Sequence, residues 1–182
     1  QTFTLTQMGT SGPQQQIPAA ISVTPSSGIG TNQTFTFTFS DTDGYQNFDV
    51  VNVLIKDSLD GNHSCYLAYS RPLNTLYLVN DLGTALLPGL TLNGSNGVSN
   101  SQCGVVGNES SAAGSGSVLT LTLNMTFNAS YAGNKVVYVA ARDTQAHNTG
   151  WQALGVWKVP GPPPNGPAVE GMSGPPGFYT FT

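Results

Sequence analysis

A chain of 182 residues can bury one β domain of ordinary size with a core that folds without a metal staple, so one domain with tails is the expected organisation. Only 8% of the residues are charged, against roughly 25% in ordinary soluble proteins, so hydroxyl and amide side chains must carry solubility. A formal charge of -4, a pI near 4.7 and five basic residues scattered from Lys56 to Lys158 argue against nucleic acid or an anionic membrane surface as partner, and no apolar run approaches the ~20 residues that span a bilayer.

In chain order, Gln1 to Gln7 alternates Phe3 and Leu5 with Thr2, Thr4 and Thr6, the pattern of a short strand. Gly9 to Gln16 has no apolar residue, and Gly12, Pro13 and Pro18 break regular structure, so this strand sits on a leash able to reach ~30 Å when extended. Ala20 to Thr24 reads as an edge strand stopped by Pro25. Thr34 to Ser40 alternates with Phe35, Phe37 and Phe39 on one face, and Asp41 to Gly44 is a turn. Phe48 to Lys56 is more continuously apolar, which predicts a central strand, and Cys65 to Tyr69 with Thr75 to Val79 reads as a hairpin.

Asn80 to Ser117 is dominated by Gly, Ser and Asn and is expected to be a long loop, tied to the hairpin by a Cys65 to Cys103 bridge closing 38 residues. Val118 to Phe127 is the clearest strand of the chain: Leu119, Leu121, Leu123, Met125 and Phe127 share one face, and Thr120, Thr122, Asn124 and Thr126 the other. Lys135 to Arg142 and Trp151 to Val159 complete about seven strands, which predicts an all-β sandwich over residues 18–160 between an N-terminal extension (1–17) and a Pro/Gly-rich tail (161–182). The tail should form a semi-rigid polyproline II spacer ending in a strand-like Phe178 to Thr182.

Taken together, TPSSGIGTNQTFTFTFSDTDGYQNFDVVNVLI, CYLAYSRPLNTLYLVND, SNSQC, GSGSVLTLTLNMTF and YAGNKVVYVAARDTQAHNTGWQALGVWKVP resemble a bacterial Ig-like or fibronectin-like module of secreted proteins, notably of acidobacteria, over about Pro18 to Pro160. The resemblance implies an extracellular Ig-like sandwich with a Cys65 to Cys103 disulfide, and it supplies no catalytic residues. Three features of the residues themselves also predict a secreted or cell-surface protein: two cysteines that suit one disulfide, a Ser/Thr/Asn-rich surface, and an opening Gln1 where an unprocessed chain has Met.

Candidate chemistry is sparse. His63 and His147 stand in predicted turns outside any GxSxG, HExxH or CxxC setting, so they read as exposed loop residues, and neither an enzyme nor a cofactor is expected. Asp41, Asp43, Asn47 and Asp49 gather hard oxygen ligands around Gly44, but the EF-hand Glu is replaced by Asn52 and turn chemistry explains the motif without a metal. Asn32, Asn62, Asn93, Asn108, Asn124 and Asn128 form six glycosylation sequons. Tyr45, Tyr66, Tyr69, Tyr77, Trp151 and Trp157 could build a platform for surface glycans, with Trp157 and half of the tyrosines expected to face the core.

The functional expectation is assembly. A sandwich has open edges, and an extended segment from a neighbour can add main-chain hydrogen bonds while filling pockets with alternate side chains. With Phe3 and Leu5 as plugs, the first segment would join copies head to tail into a filament or pilus-like fibre by donor-strand addition. The competing expectation is an adhesion or carbohydrate-binding module of a larger secreted protein.

Overall fold

The structure, a computed structural model, describes residues 17–162. The expected donor strand with Phe3 and Leu5, its leash to Gln16, and the tail beyond residue 162 with Phe178 to Thr182 lie outside the described residues.

Twelve strands follow one another among the described residues: β1 (Ala19–Thr24), β2 (Ser27–Ile29), β3 (Asn32–Ser40), β4 (Phe48–Lys56), β5 (Cys65–Ser70), β6 (Thr75–Leu78), β7 (Leu90–Thr91), β8 (Gly97–Ser99), β9 (Cys103–Ser115), β10 (Val118–Phe127), β11 (Gly133–Asp143) and β12 (Gln152–Val159). They form two sheets, one of five strands in the order β1-β3-β10-β9-β8 and one of seven in the order β2-β12-β11-β4-β5-β6-β7. The result is an all-β sandwich, as the alternating patterns predict. β1 lies at a sheet edge and β4 is the middle strand of the larger sheet, again as expected.

Alternation explains the core. Phe35, Phe37 and Phe39 of β3 stand in register with Leu123, Leu121 and Leu119 of β10, and all six are at most 2% exposed. The larger sheet covers them with Val51, Val53, Ile55, Leu67, Leu76, Val137 and Val139, each likewise buried. Each fully buried Phe or Leu contributes roughly 1.5–3 kcal/mol relative to an exposed one. Trp157 closes one side: its ring meets Phe35 edge-on at 5.1 Å, and its indole N–H donates to the Gly30 carbonyl at 2.9 Å. Gly28 makes room for it, since a Cβ there would stand 2.2 Å from the ring.

The expected loop from Asn80 to Ser117 instead contains three strands. β7, β8 and the thirteen-residue β9 lie in it, and β9 pairs along β10. β10 is flanked by β3 on one side, and its other row of N–H and C=O groups needs a partner. β9 supplies that partner although its sequence lacks alternation, because four residues, Gly107 to Ser110, bulge out opposite Leu123. Inside the bulge the buried Ser110 hydroxyl donates to the Val106 carbonyl at 2.6 Å and accepts from the Asn124 N–H at 3.0 Å, replacing the missing ladder bonds. The Cys65–Cys103 disulfide, with Cα atoms 5.6 Å apart, therefore joins β5 of one sheet to β9 of the other and does not tether a loose loop.

The register also decides where the chain enters and leaves. Ala19 and Val118 both stand opposite Ser40, and the Asp41 to Asn47 corner carries the chain from there to Phe48 of β4. Val159 stands opposite Gly133, at the far end of β11 from the Asp143–Phe48 pair. The chain thus enters β1 at one end of the sandwich and leaves β12 at the other, separated by roughly the ~30 Å length of a ten-residue strand.

Candidate functional site

The acidic corner after β3 is a packed turn. Asp41 is 1% exposed; one carboxylate oxygen accepts from the Asp43 N–H at 2.9 Å and the other from the Asn47 side-chain amide at 3.0 Å. Asp49 turns to the other side and pairs with Arg142, so the four expected oxygen donors do not converge. Among the described residues no group of three His, Cys, Asp or Glu is placed to hold a metal ion.

The two histidines differ. His63 is exposed in a turn, its backbone N–H donating to the Asp81 carbonyl at 2.7 Å. Nearby, the hydrogen bond from Lys56 holds the Asp60 carboxyl below its ordinary range, and hydrogen bonds from Ser101 do the same for Asp81. His147 is not a free loop residue: its Nδ1 lies 2.8 Å from Oδ2 of Asp143, whose side chain is fully buried. The other Asp143 oxygen accepts from the N–H groups of Gln145 and His147, so one carboxylate fixes the turn after β11.

The six sequons are not equally presented. The side-chain nitrogen of Asn124 donates to Glu109 and that of Asn128 to the Ser101 carbonyl, which occupies both. In two more the required hydroxyl is buried, Ser64 beside Asn62 and Ser110 beside Asn108. Asn32 with Thr34 and Asn93 with Ser95 are exposed on the folded domain.

The aromatic residues separate by alternation. Tyr69 and Trp157 belong to the core, and Tyr45 packs flat on β9, where a Cβ at Gly114 would come within 2.0 Å of its ring. Tyr66, Tyr77 and Tyr138 point to the outer face of the larger sheet, where Tyr138, Leu54 and Tyr66 form one cross-strand row. Leu54 is buried to 2% by its neighbours on that solvent face. Trp151, just before β12, meets Tyr66 nearly edge-to-face, ring centroids 5.6 Å apart at 70°. The two rings, with Val50, Asn52, Arg142 and Asn148, line a depression of about 320 Å³. Tyr66 donates weakly to Oδ1 of Asn52 at 3.4 Å, and burial raises the Tyr66 hydroxyl above its ordinary pKa. The outer face of the smaller sheet is quite different, with Thr36 and Thr122 hydroxyls 3.4 Å apart amid rows of threonine.

A second cleft lies where the sheet edges approach each other, between β7 and β8. It measures about 530 Å³ and is lined by Leu87 to Thr91, Gly94 and Asn96 to Ser99, with Gly89, Gly94 and Gly97 among them. Antiparallel alternation turns the main-chain groups of Gly97 and Ser99 away from β9 and toward this cleft.

Sequence reading anticipated the disulfide and the core role of Trp157 and named Tyr66 and Trp151 among the candidate platform residues, but did not anticipate their meeting in one corner. Strand alternation does send Tyr66 outward; the 145–151 turn that brings Trp151 to it is a tertiary feature. Among the described residues, no helix is long and apolar enough to cross a membrane. No protein-family model matches the chain, and neither does any curated protein.

Proposed function

We propose that this chain is the structural subunit of an extracellular fibre, an Ig-like sandwich whose copies join end to end, the N-terminal segment of each adding as a strand to its neighbour. The observation that carries the reading is that the described domain begins with β1 at one end of the sandwich and finishes with β12 at the other, an arrangement that suits a linear head-to-tail array. A disulfide joining the two sheets suits an oxidising, extracellular setting.

The core limits how donation works. The two sheets of the described domain cover one another, and the core phenylalanines are fully buried without help from another chain. A donated strand therefore adds to an open edge rather than replacing a missing core strand. The β7/β8 cleft is the favoured acceptor, since alternation turns the Gly97 and Ser99 main chain of β8 away from β9 and the cleft mixes glycines with the apolar Leu87, Leu90 and Val98. Phe3 and Leu5 would seat there, and the polar leash has a reach of ~30 Å, comparable to one domain length.

Electron microscopy of the purified 182-residue chain tests the proposal, beside a chain starting at residue 17 and a Phe3→Asp/Leu5→Asp variant. Fibres from the intact chain and dispersed particles from both variants are expected. No fibres from the intact chain, or undiminished fibres without residues 1–16, would overturn it.

A further inference from the structure

We infer that the depression at Tyr66 and Trp151 is a binding site for one or two pyranose units of a neutral saccharide. Its volume of about 320 Å³ sits at the lower end of the ~300–1,000 Å³ range of small-ligand sites, which suits a short sugar and not a large cofactor. This inference does not rest on the fibre proposal, because the site lies on the outer face of the larger sheet and shares no lining residue with the β7/β8 cleft.

A sandwich has no packing need for an aromatic outer face, and the opposite sheet makes do with threonine. Here two rings stand at 70° and form a corner. The C–H groups on one face of a pyranose are apolar and slightly positive, and they match the negative face of an aromatic ring. A corner grips a single sugar ring from two sides, whereas a flat shelf would run along a polymer.

Polar groups surround the corner without imposing a charge. Arg142 is already paired with Asp49 through Nε at 3.1 Å and Nη2 at 2.5 Å, so the rim is electrically balanced and disfavours an anionic ligand. The amide N–H groups of Asn52 and Asn148 have no partner among the described residues, while their oxygens accept from the Tyr66 hydroxyl and the Gly150 N–H. Amides supply donors and acceptors together, which is what sugar hydroxyls require.

The site is also held in place before any ligand arrives. Buried Asp143 anchors the turn through Gln145 and His147, and the Thr149 hydroxyl accepts from the Ala141 N–H at 3.0 Å, two residues before Trp151. A ring fixed this way loses little entropy on binding.

The test uses the full chain labelled with ¹⁵N and titrated with cellohexaose, chitohexaose and mannohexaose, with a heparin hexasaccharide as the anionic comparison. The Trp151 indole N–H signal should shift with at least one neutral oligosaccharide while that of buried Trp157 stays put. Trp151→Ala should weaken this binding by about tenfold or more, and Asn148→Ala, in the exposed turn beside it, by severalfold, with the unshifted Trp157 indole signal reporting that the core is intact. Three results would overturn the inference: no shift at Trp151 with any neutral sugar at millimolar concentration, a response to heparin alone, or unchanged affinity in the Asn148→Ala chain.

Discussion

Ser110→Ala isolates the device that makes β9 a strand. Ser110 is fully buried, and its hydroxyl is at once donor to the Val106 carbonyl and acceptor for the Asn124 N–H in the middle of β10. Alanine fits the space but leaves both backbone groups without their partner. An orphaned buried N–H costs about 1–3 kcal/mol, whereas the carbonyl belongs to Val106, which is 38% exposed and can turn to water, so the total is about 1–3 kcal/mol. For a domain of this size, at about 2–4 °C per kcal/mol, the melting temperature should fall by about 2–12 °C. Urea unfolding followed by circular dichroism on the oxidised protein measures the change, with the half-buried neighbour Ser111→Ala as control, expected within about 0.5 kcal/mol of the parent. If Ser110→Ala lost no more than the control, the hydroxyl would not be what closes the bulge.

Replacing Cys65 and Cys103 with alanine opens a loop of sequence separation 38 and should cost about 4 kcal/mol by chain entropy, read from the urea midpoint. Gly114→Val pushes a side chain into the Tyr45 ring and should cost about 1–3 kcal/mol, whereas Ala113→Val, exposed on the same strand, should be near neutral by the same assay. Burial raises the Tyr131 hydroxyl to about 12, and the hydroxyl donates to the Ile55 carbonyl at 2.6 Å. Because the folded-state value exceeds the ordinary one near 10, the native state holds its proton longer. The associated stability is complete below pH ~10 and disappears as pH rises toward ~12. Tyr131→Phe should therefore lower stability at neutral pH and flatten the alkaline decline; an unchanged slope between pH 10 and 12 would refute this.

Much of the sandwich was legible because alternation is a local signal. TFTFTFS and VLTLTLNMTF each specify a two-faced strand, and two such strands paired side by side present one apolar face that only a second layer can cover. β4 declared its central place by its continuous apolar run, and two cysteines in one chain left a single intramolecular pairing. β9 was hidden, because a Gly- and Ser-rich segment has no periodicity of its own. It becomes a strand only because β10 presents an unsatisfied edge and Ser110 bridges the irregularity.

The sites divide in the same way. Sequence determined which tyrosines face outward, since a strand's side chains alternate whatever surrounds it. It could not bring Trp151 to Tyr66, pair Arg142 with Asp49 across 93 residues, or bury the hydroxyls of Ser64 and Ser110 and so leave Asn32 and Asn93 as the open sequons. Those outcomes depend on which strands become neighbours and in what register, and register is a property of paired backbones and packed faces that no single segment contains.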